Sequence, residues 1–185
     1  MGKLETEPAR TRKDLLATSV YDALMSWSGV TDPDDIQVAP IDPGLADTAA
    51  FCEAYDVSLD ASANCVVVAG KREGVERFAA CMVLATTRAD VNNVVRRLLD
   101  VRKASFAPMD VAVSETGMEY GGITAIGLPS SWPIFVDAAV AATPYVVIGS
   151  GVRHSKITLP GATLAELPNA QVIDGLASPV VPRSA

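Results

Sequence analysis

The chain has 185 residues, 49 % of them apolar and 5 % aromatic, with a formal net charge of −7. That length and apolar content suit one domain whose core is filled by Val, Leu, Ile and Ala. A chain so acidic excludes a broad nucleic-acid-binding face, which needs a basic surface, and leaves only local contacts to phosphate.

Residues 1–12 are polar and mixed in charge and are expected to fray. The opening Met1-Gly2-Lys3-Leu4-Glu5-Thr6 fits the loose N-myristoylation pattern, but nothing else supports a lipid anchor, and the match reads as coincidence. Over 12–27, Leu16, Val20, Leu24 and Trp27 recur at helical spacing, with Gly29 placed to end the helix. Residues 31–35 are a turn cluster, 36–38 an extended piece, and Thr48 is positioned to cap a short helix running to residue 55. The runs 65–69 and 78–84 are continuously apolar and β-branched. With 70–74 between them they predict a hairpin buried on both faces.

Asp90 is placed to cap a helix whose apolar stripe is Val91, Val94, Val95, Leu98 and Leu99. Ser105-Phe106 reads as a short strand, and Pro108 opens a helix ending at Gly117. Strands follow at 134–136, 145–148, 157–159 and 171–173, with helical turns at 137–142 and 161–167. The Pro-rich tail from 178 is expected to be loose. Strands and helices do not alternate regularly, so the expected class is α+β, one domain over 1–185, with a helical extension at about 12–28.

Two segments stand out chemically. The first is Gly117-Met118-Glu119-Tyr120-Gly121-Gly122-Ile123-Thr124-Ala125-Ile126-Gly127-Leu128-Pro129, with four glycines in eleven residues. Gly121-Gly122 leaves two peptide N–H groups unshielded, which suits a loop gripping a carbonyl or oxyanion through main-chain donors. The second is Gly149-Ser150-Gly151-Val152-Arg153-His154-Ser155-Lys156, a basic turn in an acidic chain and a candidate phosphate contact.

Other chemistries find little support. Cys52, Cys65 and Cys81 are odd in number and unpatterned, and the lone His154 cannot complete a Cys/His zinc set, so no metal and no cofactor are expected. The thiols read as buried and reduced. Ser150 and His154 lie in one turn with no ordered triad. Cys81, inside an apolar strand, reads as an inert core thiol. No run is long and apolar enough to span a membrane, and no P-loop or dinucleotide fingerprint occurs.

Taken in order, the hairpin, the helix, T-G-M-E-Y-G-G-I-T-x-I-G-L-P, a V-D strand end and V-I-G-S-G-V-R-H-S-K resemble the YbaK / prolyl-tRNA-synthetase-associated domain family of aminoacyl-tRNA deacylases. The likeness runs over about 48–176. It implies a mixed, strongly curved sheet with short helices around it. It also implies hydrolysis of the ester joining a wrongly attached amino acid to the tRNA 3′ end, in the cytoplasm. A partner synthetase is conceivable, and the oligomeric state, monomer or homodimer, stays open. The resemblance makes Gly121 and Gly122 the carbonyl-holding donors, with Asn64 at the cleft edge. Ile123, Thr124, Gly149, Ser150, Gly151, Arg153, His154 and Lys156 become substrate contacts.

Three departures from the family pattern matter. Asn64 stands where a lysine is usual, Ala125 where the glycine loop commonly has proline, and Gly149 and Lys156 where the cysteinyl-tRNA branch has serine and an acidic residue. A catalytically weakened binding module for an aminoacyl or nucleotide ligand is therefore the alternative reading. A thiol-dependent hydrolase using Cys81 is a distant third. The sequence leaves open which amino acid or tRNA is the substrate.

Overall fold

The computed structural model describes residues 2–180. The chain runs through β1 (Glu7–Pro8), tight 3-10 turns at Ala9–Thr11 and Lys13–Leu15, α1 (Thr18–Met25), β2 (Gln37–Pro40) and α2 (Thr48–Tyr55). It continues through β3 (Ala63–Arg72), β4 (Val75–Leu84), β5 (Thr87–Ala89), a wide π turn (Val91–Val95), α3 (Arg96–Leu98), β6 (Ala104–Phe106) and α4 (Met109–Thr116). It ends with β7 (Ile134–Asp137), α5 (Ala138–Ala141), β8 (Val146–Gly149), β9 (Ser155–Leu159), a 3-10 turn at Gly161–Glu166, β10 (Ala170–Ile173) and β11 (Ala177–Pro179).

The β3–β4 hairpin is the spine. Its two-residue turn puts Glu73 and Gly74 at φ 53° and 82°, the left-handed pair that matches the twist of the flanking strands. Gly70, Lys71 and Arg72 therefore belong to the ladder and not to the turn. Along β4, Ala80, Met82 and Leu84 face one core with Ile126, Ile148 and Ile157. Ala79, Cys81 and Val83 face a second core with Val68, Val95 and Phe135. Both faces are covered, so the sequence shows no polar alternation there.

The hairpin sits in a five-stranded mixed sheet of order β10-β7-β4-β3-β6, in which β7 runs parallel to β4 and to β10. A four-stranded antiparallel sheet has the order β1-β2-β9-β8. The two meet at a parallel bridge between Ser62 and Val147, just before β3. The fold is α+β, with open sheets and short helices packed around them.

Several expectations needed correction. The N-terminal residues are tied down: β1 pairs with β2, and fully buried Ala9 donates its N–H to Ile36. The helix expected over 12–27 shrinks to α1, because Leu16 turns extended (φ −131°, ψ 146°). Leu16, Val20 and Leu24 are still buried in the core. Ser26, not Gly29, ends α1. Thr48 is not a cap but the first helical residue of α2. The helix from Asp90 opens with a π turn, and Leu98 of its expected apolar stripe is 40 % exposed. The tail is held through 177–179, where β11 pairs with β5, and 181–185 lie outside the described residues. None of the described helices is long and apolar enough to cross a membrane.

Candidate functional site

The glycine loop starts where Gly117, in the left-handed region (φ 66°), stops α4. It is then laced to the turn after β8, backbone to backbone. Glu119 N–H donates to Gly151 O (2.9 Å), Gly151 N–H to Gly122 O (2.7 Å), and Gly122 N–H back to Glu119 O (2.9 Å). The Glu119 carboxylate accepts from the Arg153 N–H at 2.6 Å. Such close approach leaves no room for side chains. A Cβ on Gly122 would lie 2.4 Å from Val152 O, and one on Gly149 would lie 2.3 Å from Gly122 O.

This joint forms one side of a cleft of about 220 Å³. Tyr120, Gly121 and Ile123 line it from the loop, and Gly149 and Lys156 from β8 and β9. Asn64 and Cys65 come from β3, and Ala46, Asp47 and Thr48 from the entry to α2. The loop, the turn and Asn64 thus converge, although they are far apart in sequence.

Within the cleft the donors divide. The Gly122 N–H is committed to Glu119, and Gly122 is buried behind the wall. Of the loop residues that line the cleft, Tyr120, Gly121 and Ile123 all have N–H groups that donate to no acceptor among the described residues. The Gly121-Gly122 pair therefore has two separate jobs: Gly121 (φ 84°) turns the chain at the cleft, and Gly122 allows the joint to close. Asn64 is exposed at the rim, and its side-chain oxygen accepts from the Thr48 hydroxyl at 2.8 Å.

The basic turn divides as well. The Arg153 guanidinium spans Tyr120 O (3.0 Å) and Pro43 O (3.2 Å) and sits beside Gly121. Lys156 points inward: it is 8 % exposed, its Nζ donates to Ala46 O at 3.0 Å, and it lies 5.3 Å from the centre of the Phe51 ring. β9 lies between β2 and β8 and is buried throughout, so the exposed turn lysine expected from sequence is a cleft-floor lysine instead.

Four expected substrate contacts do not reach the cleft. Ser150 is fully buried, and its hydroxyl is shared with Ser155 Oγ at 2.7 Å. His154 Nε2 meets Asp14 O at 3.1 Å. Gly151 packs under Ala17, and Thr124 is fully buried. Ser150, Gly151 and His154 tie the turn to the loop and the N-terminal segment, while the Thr124 hydroxyl has no hydrogen-bond partner among the described residues. Of the thiols, Cys81 is fully buried, and burial pushes its pKa up to about 12, far from a nucleophilic thiolate. Cys65 is only half-buried on the cleft wall, but burial pushes its thiol up too.

The sequence pattern gives Asp47 and Phe51 no functional part and marks Tyr120 only as a member of the glycine stretch; Asp47 and Phe51 take their places beside Lys156 through long-range packing.

Burial drives the Lys156 pKa below the ordinary lysine value, and Arg153 adds to this, while Cys52 and Asp47 oppose it. With a native pKa below the unfolded one, the native state releases its proton first as pH rises. Stability should therefore rise through the window below about 10.5 and fall as the pH drops back through the native pKa. A Lys156→Met variant should lack this slope. Denaturant titrations of both proteins between neutral pH and about 10 check this; parallel curves would show an ammonium no worse solvated in the fold than in the unfolded chain.

The similarities agree with this geometry. A solved structure presented as a candidate trans-editing enzyme for prolyl tRNA synthetase superposes with TM-score 0.70 at 20 % identity, over 85 % of this chain and 94 % of that one. The hypothetical protein APE2540 superposes with TM-score 0.68 at 17 % identity, over 77 % and 91 %. A scaffold protein used for epitope backbone grafting gives TM-score 0.70 at 19 % identity, over 85 % and 95 %. At these identities the likeness is one of fold. No match is found among curated proteins. The family model of the aminoacyl-tRNA editing domain matches residues 42–167, which include the loop, the turn and every wall of the cleft. The chain belongs to the aminoacyl-tRNA editing domain family.

Proposed function

We propose that the chain is a deacylase that hydrolyses the ester of mischarged aminoacyl-tRNA, acting in the cytoplasm where tRNA is charged. The observation that carries this reading is the cleft itself. It brings unengaged main-chain donors at Gly121 and Ile123 to a pocket that also holds Asn64, within the family match.

The ester carbonyl sits against the Gly121 and Ile123 N–H groups. Water adds to the carbonyl carbon, and the two donors stabilise the oxyanion that develops. Collapse breaks the bond to the ribose oxygen, which takes one proton of the attacking water, and the other passes to solvent as the amino acid leaves as its carboxylate. The ester is already activated, so positioning and oxyanion stabilisation can supply much of the rate. The side-chain amide of Asn64 offers a donor to the tRNA end without charge.

The direct experiment is a deacylation screen of the purified protein against tRNAs mischarged with different amino acids. Release of amino acid from at least one of them is expected. A folded protein that binds a non-hydrolysable aminoacyl analogue but releases nothing would favour the binding-module reading, which Asn64 in place of lysine motivates.

Because the net charge of −7 repels RNA at long range, binding of the tRNA end needs a local cation. Arg153, beside Gly121, still has N–H groups beyond the two that bond Tyr120 O and Pro43 O. Arg153→Ala should weaken binding and flatten the log–log salt dependence by about 0.7 for the lost contact on a single strand. An unchanged slope, measured by titration of the tRNA end at several salt concentrations, would leave Arg153 with only its structural contacts.

A further inference from the structure

We propose that Lys156 makes the cleft selective for an aminoacyl group whose side chain ends in a carboxylate, a refinement that rests on the deacylase reading above. Lys156 is the charged group at the cleft floor and more than nine-tenths buried. No carboxylate lies within ion-pair distance of it among the described residues. Its one hydrogen bond goes to Ala46 O, and the Phe51 ring covers another side. An ammonium has three donors, so two remain without a protein acceptor. Asp47 acts on this cation only from beyond ion-pair distance, so its burial stays costly, and an incoming carboxylate would offset part of that cost.

The shape of the cleft says which end of the substrate reaches the lysine. About 220 Å³ is below the ~300–1,000 Å³ of pockets that take whole drug-sized ligands, so nucleotide and amino acid do not both fit inside. With the ester carbonyl at Gly121 and Ile123, the ribose and its phosphate stay at the mouth, on the Arg153 side. The amino-acid side chain is the part that goes inward. Asp47, exposed at the rim, adds a negative charge suited to the substrate's α-ammonium. The cleft thus presents an anion outside and a cation inside, the reverse of the charges on an acidic aminoacyl group. A site built to engage a polar group rejects analogues that lack it far more strongly than an apolar pocket rejects a missing methylene.

The other source of an anion is the phosphate of the terminal nucleotide, and the test separates the two. Glutamyl, aspartyl, alanyl and seryl esters are compared on tRNA and on phosphate-free adenosine, with wild type and Lys156→Met, whose folding is checked by thermal melting. The expected result is a kcat/KM for glutamyl or aspartyl at least about tenfold above alanyl on both carriers, with the ratio collapsing in Lys156→Met. The proposal is overturned if wild type shows no such preference. It is overturned equally if Lys156→Met slows all esters alike on tRNA and none on adenosine, which would make Lys156 a phosphate contact.

Binding of amide-linked, non-hydrolysable glutamyl and alanyl adenosine to wild type gives a readout independent of turnover and of the variant. Preferential glutamyl binding with no ester hydrolysed would support the role of Lys156 and sink the deacylase reading. Equal binding would sink the proposal whatever the turnover.

Discussion

Gly122→Ala should lower deacylation by roughly 100- to 1000-fold, the range for loss of a main-chain oxyanion contact. The sequence alone suggests that the new methyl would either intrude on the aminoacyl group or twist the main-chain donors away. The geometry supports the second route. The methyl would lie 2.4 Å from Val152 O and 2.6 Å from Val152 C, behind the cleft wall. Both neighbours are backbone, so the loop and the turn must part, and Gly121 and Ile123 shift with them. Overpacking of this kind costs about 1–3 kcal/mol, which a chain of this size should survive. Donors that act on the developing oxyanion are felt mainly in the transition state, so kcat and kcat/KM should fall together while KM stays near its wild-type value. Steady-state kinetics on the best substrate from the screen checks this, and a folded variant with normal turnover would remove the loop from the mechanism.

Gly127→Ala, at the other end of the same loop, should instead lower the melting temperature by roughly 5–10 °C with little change in turnover per folded molecule. Gly127 has φ 79°, and its Cβ would lie 2.4 Å from Ser19 O on α1. Backbone strain there costs about 1–3 kcal/mol, and the collision with a helix carbonyl adds to it. Gly127 does not line the cleft that holds Gly121, Asn64 and Lys156. Thermal melts together with kinetics well below the transition separate the two effects. A large loss of kcat in the folded variant would mean that α1 and the donors are mechanically coupled.

The contrast between these glycines shows what was legible in the sequence. Features governed by neighbours in the chain could be read directly. Gly117 ends α4 in the left-handed region, Asp90 accepts from Asn93 N–H, and the two apolar runs pair as a hairpin. Features fixed by distant partners could not. That Gly122 rests on Val152, that Lys156 is buried over Phe51, and that Ser150 spends its hydroxyl on Ser155 all depend on which segments the fold brings together. β1 escaped notice because two residues carry no periodicity; its place comes from pairing with β2. The convergence of loop, turn and Asn64 was legible only through the family order of motifs, and the division of labour between Gly121 and Gly122 needed coordinates.

The placement of β2 between β1 and β9 has a consequence for where the unit of homology ends and the unit of folding begins. The family match starts at residue 42, after β1, α1 and β2. A fragment cut there would leave β9, the strand that carries Lys156, as a bare sheet edge. It would also strip Ala17 from beneath Gly151 and the Leu15 carbonyl from Ser155. An exposed, apolar edge strand invites pairing with another chain. The stretch that the family model matches is thus shorter than the stretch whose packing supports the pocket, and residues 2–41 brace a pocket to which they contribute no wall.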